Sequence, residues 1–163
     1  MASSFVETAQ EVAVADFMSP QQRSRAMSRV RGRDTEIECL VRSLLHRSGF
    51  RFRKNVPNLP GRPDIALPKY KAAIFVHGCF WHGHCGCRRS TIPATRTDFW
   101  QEKIARTMER DKEKTEALFA ASWRVGVLWQ CALRSPGLVL PASDTLIDWI
   151  RSGRSWIEIP SSS

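Results

Sequence analysis

The clearest pattern of hydrophobic and polar positions in this chain is a helical repeat over residues 35–49. Five apolar side chains recur there at the i, i+3, i+4, i+7 and i+8 positions of one buried helix face: Ile37, Leu40, Val41, Leu44 and Leu45. Thr35 and Glu38 fit a capping box at the start of this helix, and Gly49 fits its C-terminal stop. We therefore predict an amphipathic helix that packs on a core.

Four segments have the pattern of β-strands. Residues 50–55 alternate apolar and basic side chains, which predicts a strand with one face in water. Residues 64–68 and 71–78 predict two short strands of a hairpin, and the second is nearly all apolar, as a central strand would be. Residues 123–129, with the sequence WRVGVLW, predict another buried strand.

Three further segments favour helices. Residues 97–119 predict a long amphipathic helix, and residues 142–150 predict a last helix with Ser143 or Asp144 as its N-cap. Residues 20–29 predict a short basic helix. The order of helix, strands, helix, strand and helix predicts an α/β fold, in which helices flank a mixed central sheet.

The length of 163 residues allows one domain with a buried core. We predict that this domain covers residues 19–152, between a flexible N-terminal tail over 1–18 and a C-terminal tail over 153–163. No apolar run approaches the roughly 20 residues that a membrane span needs. The acidic start of the chain has no early Lys or Arg, unlike a signal or transit peptide. We expect a cytoplasmic protein that does not contact membranes.

The positive charge of the chain is concentrated in one region. The formal net charge is +9, and residues 21–54 hold ten Lys and Arg against three acids, a net charge of +7. A concentrated basic region favours a polyanionic partner, and nucleic acid is the first candidate. The alternative is a solvated basic surface without a partner.

Cysteines and histidines crowd into residues 75–87, FVHGCFWHGHCGC. In a reducing compartment this clustering favours a metal site over disulfides. Structural zinc takes four thiolate or imidazole ligands, and Cys79, His84 and Cys87 have suitable spacing. Cys85 competes with Cys87, and Cys131 follows a strand that would bring it near as the fourth ligand. The alternative is free cysteines with surface histidines.

Two histidines of this segment are left over for chemistry. His77 ends a predicted strand, His82 lies in the following loop, and Asp64 starts the neighbouring strand. A carboxylate can bind Mg²⁺, and a histidine can take a proton from water. Together they suit metal-assisted phosphodiester hydrolysis, although Asp64 could also merely cap a turn.

Pro63 and Asp64 resemble the first motif of the PD-(D/E)xK nucleases. One strand later, where that motif requires a second acid and a lysine, the chain reads Val76, His77 and Gly78. Either the protein is no such nuclease, or a histidine has taken over the role of the base.

A larger set of motifs resembles the very short patch repair (Vsr) endonucleases. These motifs are RDTEIE, LPGRPDIAL, FVHGCFWHGH, PATRTDFWQEKI, ERD and WRVGVLWQCAL, and they span about residues 19–133 in the order of the family. The resemblance implies a PD-(D/E)xK-like, restriction-endonuclease core with a structural Zn²⁺ and a catalytic Mg²⁺. It also implies nicking of double-stranded DNA on the 5′ side of the thymine in T:G mismatches, which arise by deamination of 5-methylcytosine.

The resemblance assigns catalytic roles residue by residue. Asp64 matches the metal-binding aspartate of the family, His82 the proposed general base and His77 a second active-site histidine. Glu38 matches an active-site glutamate, beside its role in the capping box, and Asp111 matches an acid near the site.

The resemblance also implies the metal ligands. Cys79, His84 and Cys131 match the zinc ligands, and Cys87 is preferred to Cys85 as the third cysteine. Val76 stands where the family can have threonine, a position that would bind Mg²⁺ through its backbone carbonyl.

Several aromatic residues match the wedge that family members insert beside the mismatch. They are Phe80, Trp81 and Trp100, although Trp100 could instead be a helix-core residue. Met27 of the basic helix is either a core anchor or an apolar tip that enters the opposite groove. The arginines of that helix would bind phosphate, which supplies affinity but little sequence information.

Two other functions fit the same motifs. One is a non-catalytic, zinc-dependent DNA-binding module, and the other is a restriction-type nuclease that acts on fully paired DNA. For the leading function we expect a monomer, with mismatch-repair proteins as possible partners at the level of the family.

Overall fold

The computed structural model describes residues 19, 21, 22, 25 and 34–161. The predicted tail over 1–18 and Met27 of the predicted basic helix lie outside the described residues. From residue 34 onward, the α-helices and strands follow in chain order: α1 (Glu36–Arg47), β1 (Ile65–Leu67), β2 (Ala72–His77), α2 (Thr97–Ala120), β3 (Arg124–Trp129), α3 (Pro136–Ser152) and β4 (Trp156–Ile159). Within these residues no helix has both the length and the apolar character needed to cross a membrane.

The strands form one mixed sheet in the order β1-β2-β3-β4. Strands β1 and β2 are antiparallel and form the predicted hairpin, with Ile65 opposite Ile74. Strands β2, β3 and β4 run parallel, and His77 at the end of β2 lies opposite Trp129 at the end of β3. The mixed sheet and the central place of the apolar strand β2 are therefore confirmed.

Helices cover both faces of this sheet. On one face, Val41 of α1 and Trp149 of α3 pack in a core with Ile74 and Leu128 of the central strands. On the other face, Leu118 of α2 packs with alternate residues of the same strands: Ala73, Phe75 and Val125. Successive residues of these strands thus point to opposite faces of the sheet. The predicted α/β layering is confirmed.

The strand predicted over residues 50–55 is wrong. Arg53 makes a single antiparallel bridge with Ala66, through two N–H to C=O bonds of 2.8 Å. Strand β1 has only three residues, and Asn55 takes a left-handed backbone with φ 49°. The extended segment therefore ends before it can form a longer ladder.

The C-terminal part of the fold also differs from the prediction. Helix α3 begins at Pro136 after Ser135, six residues before the predicted start, and contains Pro141. Proline suits the first position of a helix because its missing N–H has no partner there, so two prolines conceal this start in the sequence. Residues 156–159, which we assigned to a tail, form the parallel edge strand β4. The core therefore extends beyond residue 152.

The contact between Gly126 of β3 and α3 gives a test of the packing. A Cβ at Gly126 would lie 3.0 Å from Cζ3 of the fully buried Trp149 and 3.2 Å from Cγ2 of Ile157. We expect Gly126→Ala to lower the free energy of unfolding by about 1–3 kcal/mol, because a packed core resists an added methyl group. Urea denaturation measures this change.

Gly137→Ala is the matched control for that substitution. A Cβ at Gly137, in the first turn of α3, would meet nothing within 4 Å. Alanine also loses less conformational entropy than glycine, so stability should stay equal or rise by up to about 1 kcal/mol. Equal denaturation midpoints for the two variants would contradict the described packing of α3 on β3.

Candidate active site

Three residues from a strand, a loop and a helix meet at the carboxyl end of β2. His77 is the last residue of β2, and its ring stacks on His82 of the following loop with centroids 3.8 Å apart and planes 6° apart. His82 Nδ1 lies 2.5 Å from Oδ2 of Asp111 on α2. The loop brings His82 back over the strand end through a hydrogen bond of 3.2 Å from its own N–H to the carbonyl of Gly78.

The charges at this centre fix where the protons lie. Burial raises the pKa of Asp111, but the hydrogen bond and charge of His82, with smaller contributions from His77 and Lys114, outweigh it and lower this pKa to about 2. Because an ionised carboxylate only accepts, Nδ1 of His82 carries hydrogen, and in the neutral ring Nε2 is the atom that can take a proton. Burial, together with the charge of His82, lowers the pKa of His77 to about 3, so His77 is neutral.

The ring geometry favours proton transfer over metal binding at these three residues. Donor atoms of His77, His82 and Asp111 lie within 4.8 Å of one another, as in many metal sites. The lone pair of an imidazole nitrogen lies in the ring plane, however, and the two rings are stacked almost parallel. Their lone pairs therefore do not converge on one point.

Asp64 lies beside this centre and has a different environment. Its Oδ2 accepts a hydrogen bond of 2.8 Å from the N–H of Val76. The pKa of Asp64 is raised to about 6, chiefly by burial and further by the charge of Glu38. The hydrogen bond from Val76 and the charges of Arg42 and His82 act in the opposite direction and only partly offset this rise. Asp64 was expected to meet the histidines directly. Instead it interacts with His82 only through charge, and the side chain in direct contact with His82 is that of Asp111.

The backbone next to Asp64 adds a second oxygen. In a strand, the N–H and the C=O of one residue point to the same side. Because the N–H of Val76 points to Asp64, the carbonyl of Val76 faces the same side of β2. A partly buried carboxylate beside a backbone carbonyl is a donor set that suits Mg²⁺.

Glu38 lies behind Asp64 and has three partners of its own. Its carboxylate accepts from Thr35 Oγ1 at 2.9 Å, from the N–H of Asp34 at 3.0 Å and from Arg42 Nη2 at 2.6 Å. Thr35 in turn accepts from the N–H of Glu38 at 3.3 Å. The predicted capping interaction is present, with the N–H of Asp34 as its second donor, and Glu38 acts on Asp64 through its charge.

A second cluster, which we call the Cys/His cluster, combines three residues of the same loop with Cys131, which follows β3. Its donor atoms all lie within 4.8 Å of one another and belong to the four predicted zinc ligands: Cys79, His84, Cys87 and Cys131. His84 Nδ1 lies 3.5 Å from Cys131 Sγ, and its ring stacks on Trp129 at 4.1 Å. Cys85 is exposed and lies outside the cluster.

The chemistry of the Cys/His cluster fits a bound cation. Burial, with the neighbouring thiols Cys79 and Cys87, raises the pKa of Cys131 to about 12. Thiolates crowded together in this way become favourable when a metal ion binds them and displaces their protons. Three sulfur atoms and one imidazole nitrogen are a donor set that can hold a metal ion such as zinc.

The predicted wedge residues form one aromatic group at the start of α2. The ring of Phe80 lies 5.1 Å from Trp81 and 5.3 Å from Trp100, and Lys103 Nζ lies 5.4 Å from the rings of both tryptophans. Trp100 is only 8% exposed. Phe80 and Trp81 are half-buried, so they present the accessible part of the group while Trp100 supports it.

Comparison with known proteins gives the family. The sequence model described as DNA mismatch endonuclease Vsr matches residues 15–89 of this chain. The DNA mismatch endonuclease Vsr of Escherichia coli (strain K12) is 46% identical over 121 residues, which cover 74% of this chain and 77% of that protein. This chain belongs to the Vsr family. The part of the chain that matches the family model, residues 15–89, includes α1, β1, β2 and the loop residues from Gly78 to Arg89.

Other Vsr relatives extend the similarity along the chain. The type II nicking enzyme V.XorIIP of Xanthomonas oryzae pv. oryzae (strain KACC10331 / KXO85) is 45% identical over 135 residues, 83% of this chain and 98% of its own length. The type II nicking enzyme V.NmeAIP of Neisseria meningitidis serogroup A / serotype 4A (strain DSM 15465 / Z2491) is 38% identical over 138 residues, 85% and 98% of the two lengths. Membership of the Vsr family confirms the expected fold class.

Two further residues adjoin the candidate site and could have been noticed in the sequence. Phe99, which the helical pattern places on the apolar face of α2, is 42% exposed and lies 5.2 Å from the ring of Trp100. Lys114 Nζ donates to Asp111 Oδ1 at 3.1 Å. Asp111 and Lys114 are three residues apart in the predicted helix, and this spacing could have indicated that they form an ion pair.

Proposed function

We propose that this protein is a Mg²⁺-dependent endonuclease that nicks one DNA strand on the 5′ side of the thymine in a T:G mismatch. The nick would start very short patch repair of deaminated 5-methylcytosine. The observation that carries this proposal is the His82–Asp111 pair, stacked by His77 and adjoining Asp64. Membership of a family whose model is described as DNA mismatch endonuclease Vsr supports it.

His82 would act as the general base. Its Nε2 would take a proton from the attacking water, and Asp111, ionised at neutral pH, would stabilise the imidazolium that forms. The neutral ring of His77 would hold the plane of His82 by stacking, without adding charge. A positioned base of this kind contributes about 10²- to 10⁴-fold in rate.

Asp64 and the carbonyl of Val76 would hold the magnesium ion. When bound, Mg²⁺ supplies Lewis-acid stabilisation of the charge that develops on the phosphate. The ionised form of Asp64, disfavoured by burial, would be favoured beside a cation. Glu38 would add negative charge behind the site while Arg42 balances it at 2.6 Å.

Zinc in the Cys/His cluster would have a structural role. All four donors come from the protein, which leaves no open position for a substrate. His82 lies between Cys79 and His84 in the chain, so a metal at these ligands would fix both ends of the segment that carries the base.

The aromatic group would enter the base stack at the mismatch. A T:G wobble pair is already weakened, so unstacking costs less there than at a Watson–Crick pair, and this difference becomes selectivity. Phe80 and Trp81 would insert, supported by Trp100, and Met27 would enter the opposite groove. We further propose that the protein acts as a monomer in the cytoplasm and that mismatch-repair proteins are its partners.

A panel of duplexes tests this function against its alternatives. Three otherwise identical duplexes carry T:G, T:A or C:G at one position, with each strand separately labelled. We expect nicking of the T:G duplex only, and only after Mg²⁺ is added. Mg²⁺ should be omitted rather than chelated, because a chelator would also remove a structural metal from the Cys/His cluster.

The other outcomes identify the alternative functions. Binding without cleavage under any divalent ion would indicate a non-catalytic DNA-binding module. Cleavage of both strands in the T:A or C:G duplex would indicate a restriction-type nuclease. Either result would contradict the proposal.

A further inference from the structure

Lys114 of α2 and His82 each bind one oxygen of the Asp111 carboxylate. Lys114 Nζ donates to Oδ1 of Asp111 at 3.1 Å, while Oδ2 lies 2.5 Å from His82 Nδ1. Each oxygen therefore has its own cationic or N–H partner. If Oδ1 lost its partner, the carboxylate could rotate about its Cβ–Cγ bond and leave the geometry that His82 requires.

The stem of Lys114 is held by the loop that leads to Asp64. Gly61 of this loop has a left-handed backbone with φ +73°, and a Cβ there would lie 2.8 Å from Cδ of Lys114 and 3.0 Å from its Cβ and Cγ. This close approach needs glycine. Because Gly61 comes three residues before Asp64, Lys114 connects the segment of the metal-binding carboxylate to the helix of Asp111.

This ion pair differs from an ordinary surface pair on the same helix. The side chains of Arg106 and Glu102 form an i, i+4 pair but are 74% and 64% exposed, whereas those of Lys114 and Asp111 are 38% and 17% exposed. Exposed pairs contribute little because water screens them and both side chains lose entropy. Lys114 has already lost freedom by packing on Gly61, so its bond to Asp111 is better placed to hold a geometry.

We propose that Lys114 is a positioning residue for the general base. By occupying Oδ1, it keeps Oδ2 of Asp111 on Nδ1 of His82 and so keeps Nε2 aimed at the attacking water. This inference rests on the proposed function, because it assigns Lys114 a role in the same nicking reaction. Lys114 itself does not touch the reacting atoms in this role.

Single-turnover nicking of a T:G duplex at saturating enzyme tests the inference. Lys114→Met keeps a stem over Gly61 and removes the ammonium group, and Lys114→Gln is a second variant with a different side chain. We expect the maximal rate to fall about 10- to 100-fold, since a small misplacement of a catalytic group costs on this scale. The Kd for DNA should stay within about twofold, and Lys114→Arg should recover part of the rate.

Lys112→Met is the matched control. It removes one positive charge from an exposed position two residues away on the same helix. If loss of positive charge near DNA were the cause, this variant would reproduce the effect through a weaker Kd. We expect it to nick at the wild-type rate.

A double-mutant cycle with Asp111→Asn separates a positioning role from an independent one. If Lys114 acts through Asp111, Lys114→Met should cost little in the Asp111→Asn background. Independent, multiplicative losses would overturn the inference, and so would wild-type maximal rates for both Lys114→Met and Lys114→Gln. A wild-type protein that fails to nick the T:G duplex would instead overturn the proposed function.

Discussion

Replacing Asp64 with asparagine is expected to abolish nicking while DNA binding persists. The substitution keeps an oxygen for the N–H of Val76 but removes the charge that would bind Mg²⁺. Loss of several kcal/mol of transition-state stabilisation corresponds to a rate decrease of about 10³-fold or more. Single-turnover nicking and a separate binding titration measure the two effects, and Asp64→Ala should behave in the same way.

The matched control for Asp64→Asn is Asp144→Asn. Asp144 is an exposed acid on α3, so the control changes the charge equally at a surface position. It should nick at the wild-type rate. If Asp64→Asn nicked at a rate close to that of Asp144→Asn, Asp64 would not be required for the reaction.

The same substitution should also stabilise the fold, which distinguishes a catalytic loss from misfolding. The pKa of Asp64 is raised to about 6 in the folded protein, chiefly by burial. The stability penalty of its charge therefore develops as the pH rises from about 4 to 6 and is complete above that, where Asp64 is ionised in both states. Without Mg²⁺, Asp64→Asn should melt above wild type at pH 7 and equal to it at pH 3.5.

Replacing Cys79 or Cys131 with serine should have the second large effect, on metal content and folding together. Each residue supplies one sulfur to the Cys/His cluster, and Cys79 is fully buried. Binding of structural zinc contributes on the order of 10 kcal/mol in small zinc peptides, so loss of one ligand should remove much of the stability of the loop. Elemental analysis and thermal melting measure the two consequences.

Cys85→Ser is the matched control for these variants. Cys85 lies in the same loop, but it is exposed and outside the cluster. This variant should keep one zinc per chain and the wild-type melting temperature. Full zinc content in Cys131→Ser, or loss of zinc in Cys85→Ser, would show that the proposed ligand set is wrong.

Local patterns explain which elements could be predicted from the sequence. Helix α1 and the hairpin of β1 and β2 depend on neighbours close in the chain, and both were confirmed. Of the apolar face predicted for α1, Val41 and Leu45 are buried in the core, whereas Leu40 and Leu44 are only half-buried. Strand β4 was missed because it has only four residues and depends on pairing with β3. The early start of α3 was missed because its two prolines are typical of loops.

The candidate site shows the same division between local and distant contacts. Cys79, His84 and Cys87 could be grouped from their spacing in one loop, and Cys131 could be added because it follows a strand expected to lie beside that loop; the structure brings all four together. Asp111 could not be connected to His82 by spacing, because 29 residues separate them and only the packing of α2 on the sheet brings them together. The family resemblance placed Asp111 near the site, and the structure shows that His82 is its direct partner.

Exposure at the aromatic group could not be predicted from helical periodicity. Trp100 and Phe99 are adjacent aromatic residues in the helix predicted over 97–119, and the sequence pattern does not tell which of them reaches solvent. In the structure Trp100 is buried and Phe99 is exposed, with the guanidinium of Arg96 4.6 Å from its ring. Periodicity gives the faces of a helix, but the loop that covers part of α2 decides which aromatic ring is reached by solvent.

Mapping the cut in a duplex with one T:G pair shows whether this protein nicks DNA at the mismatched thymine. Each strand is labelled at its 5′ end in turn, and the products of a Mg²⁺-started reaction are sized to single-nucleotide resolution. We expect one cut, in the T strand, at the phosphodiester bond on the 5′ side of the mismatched thymine. Cuts in the G strand, or equal cutting of the fully paired duplex, would contradict this expectation.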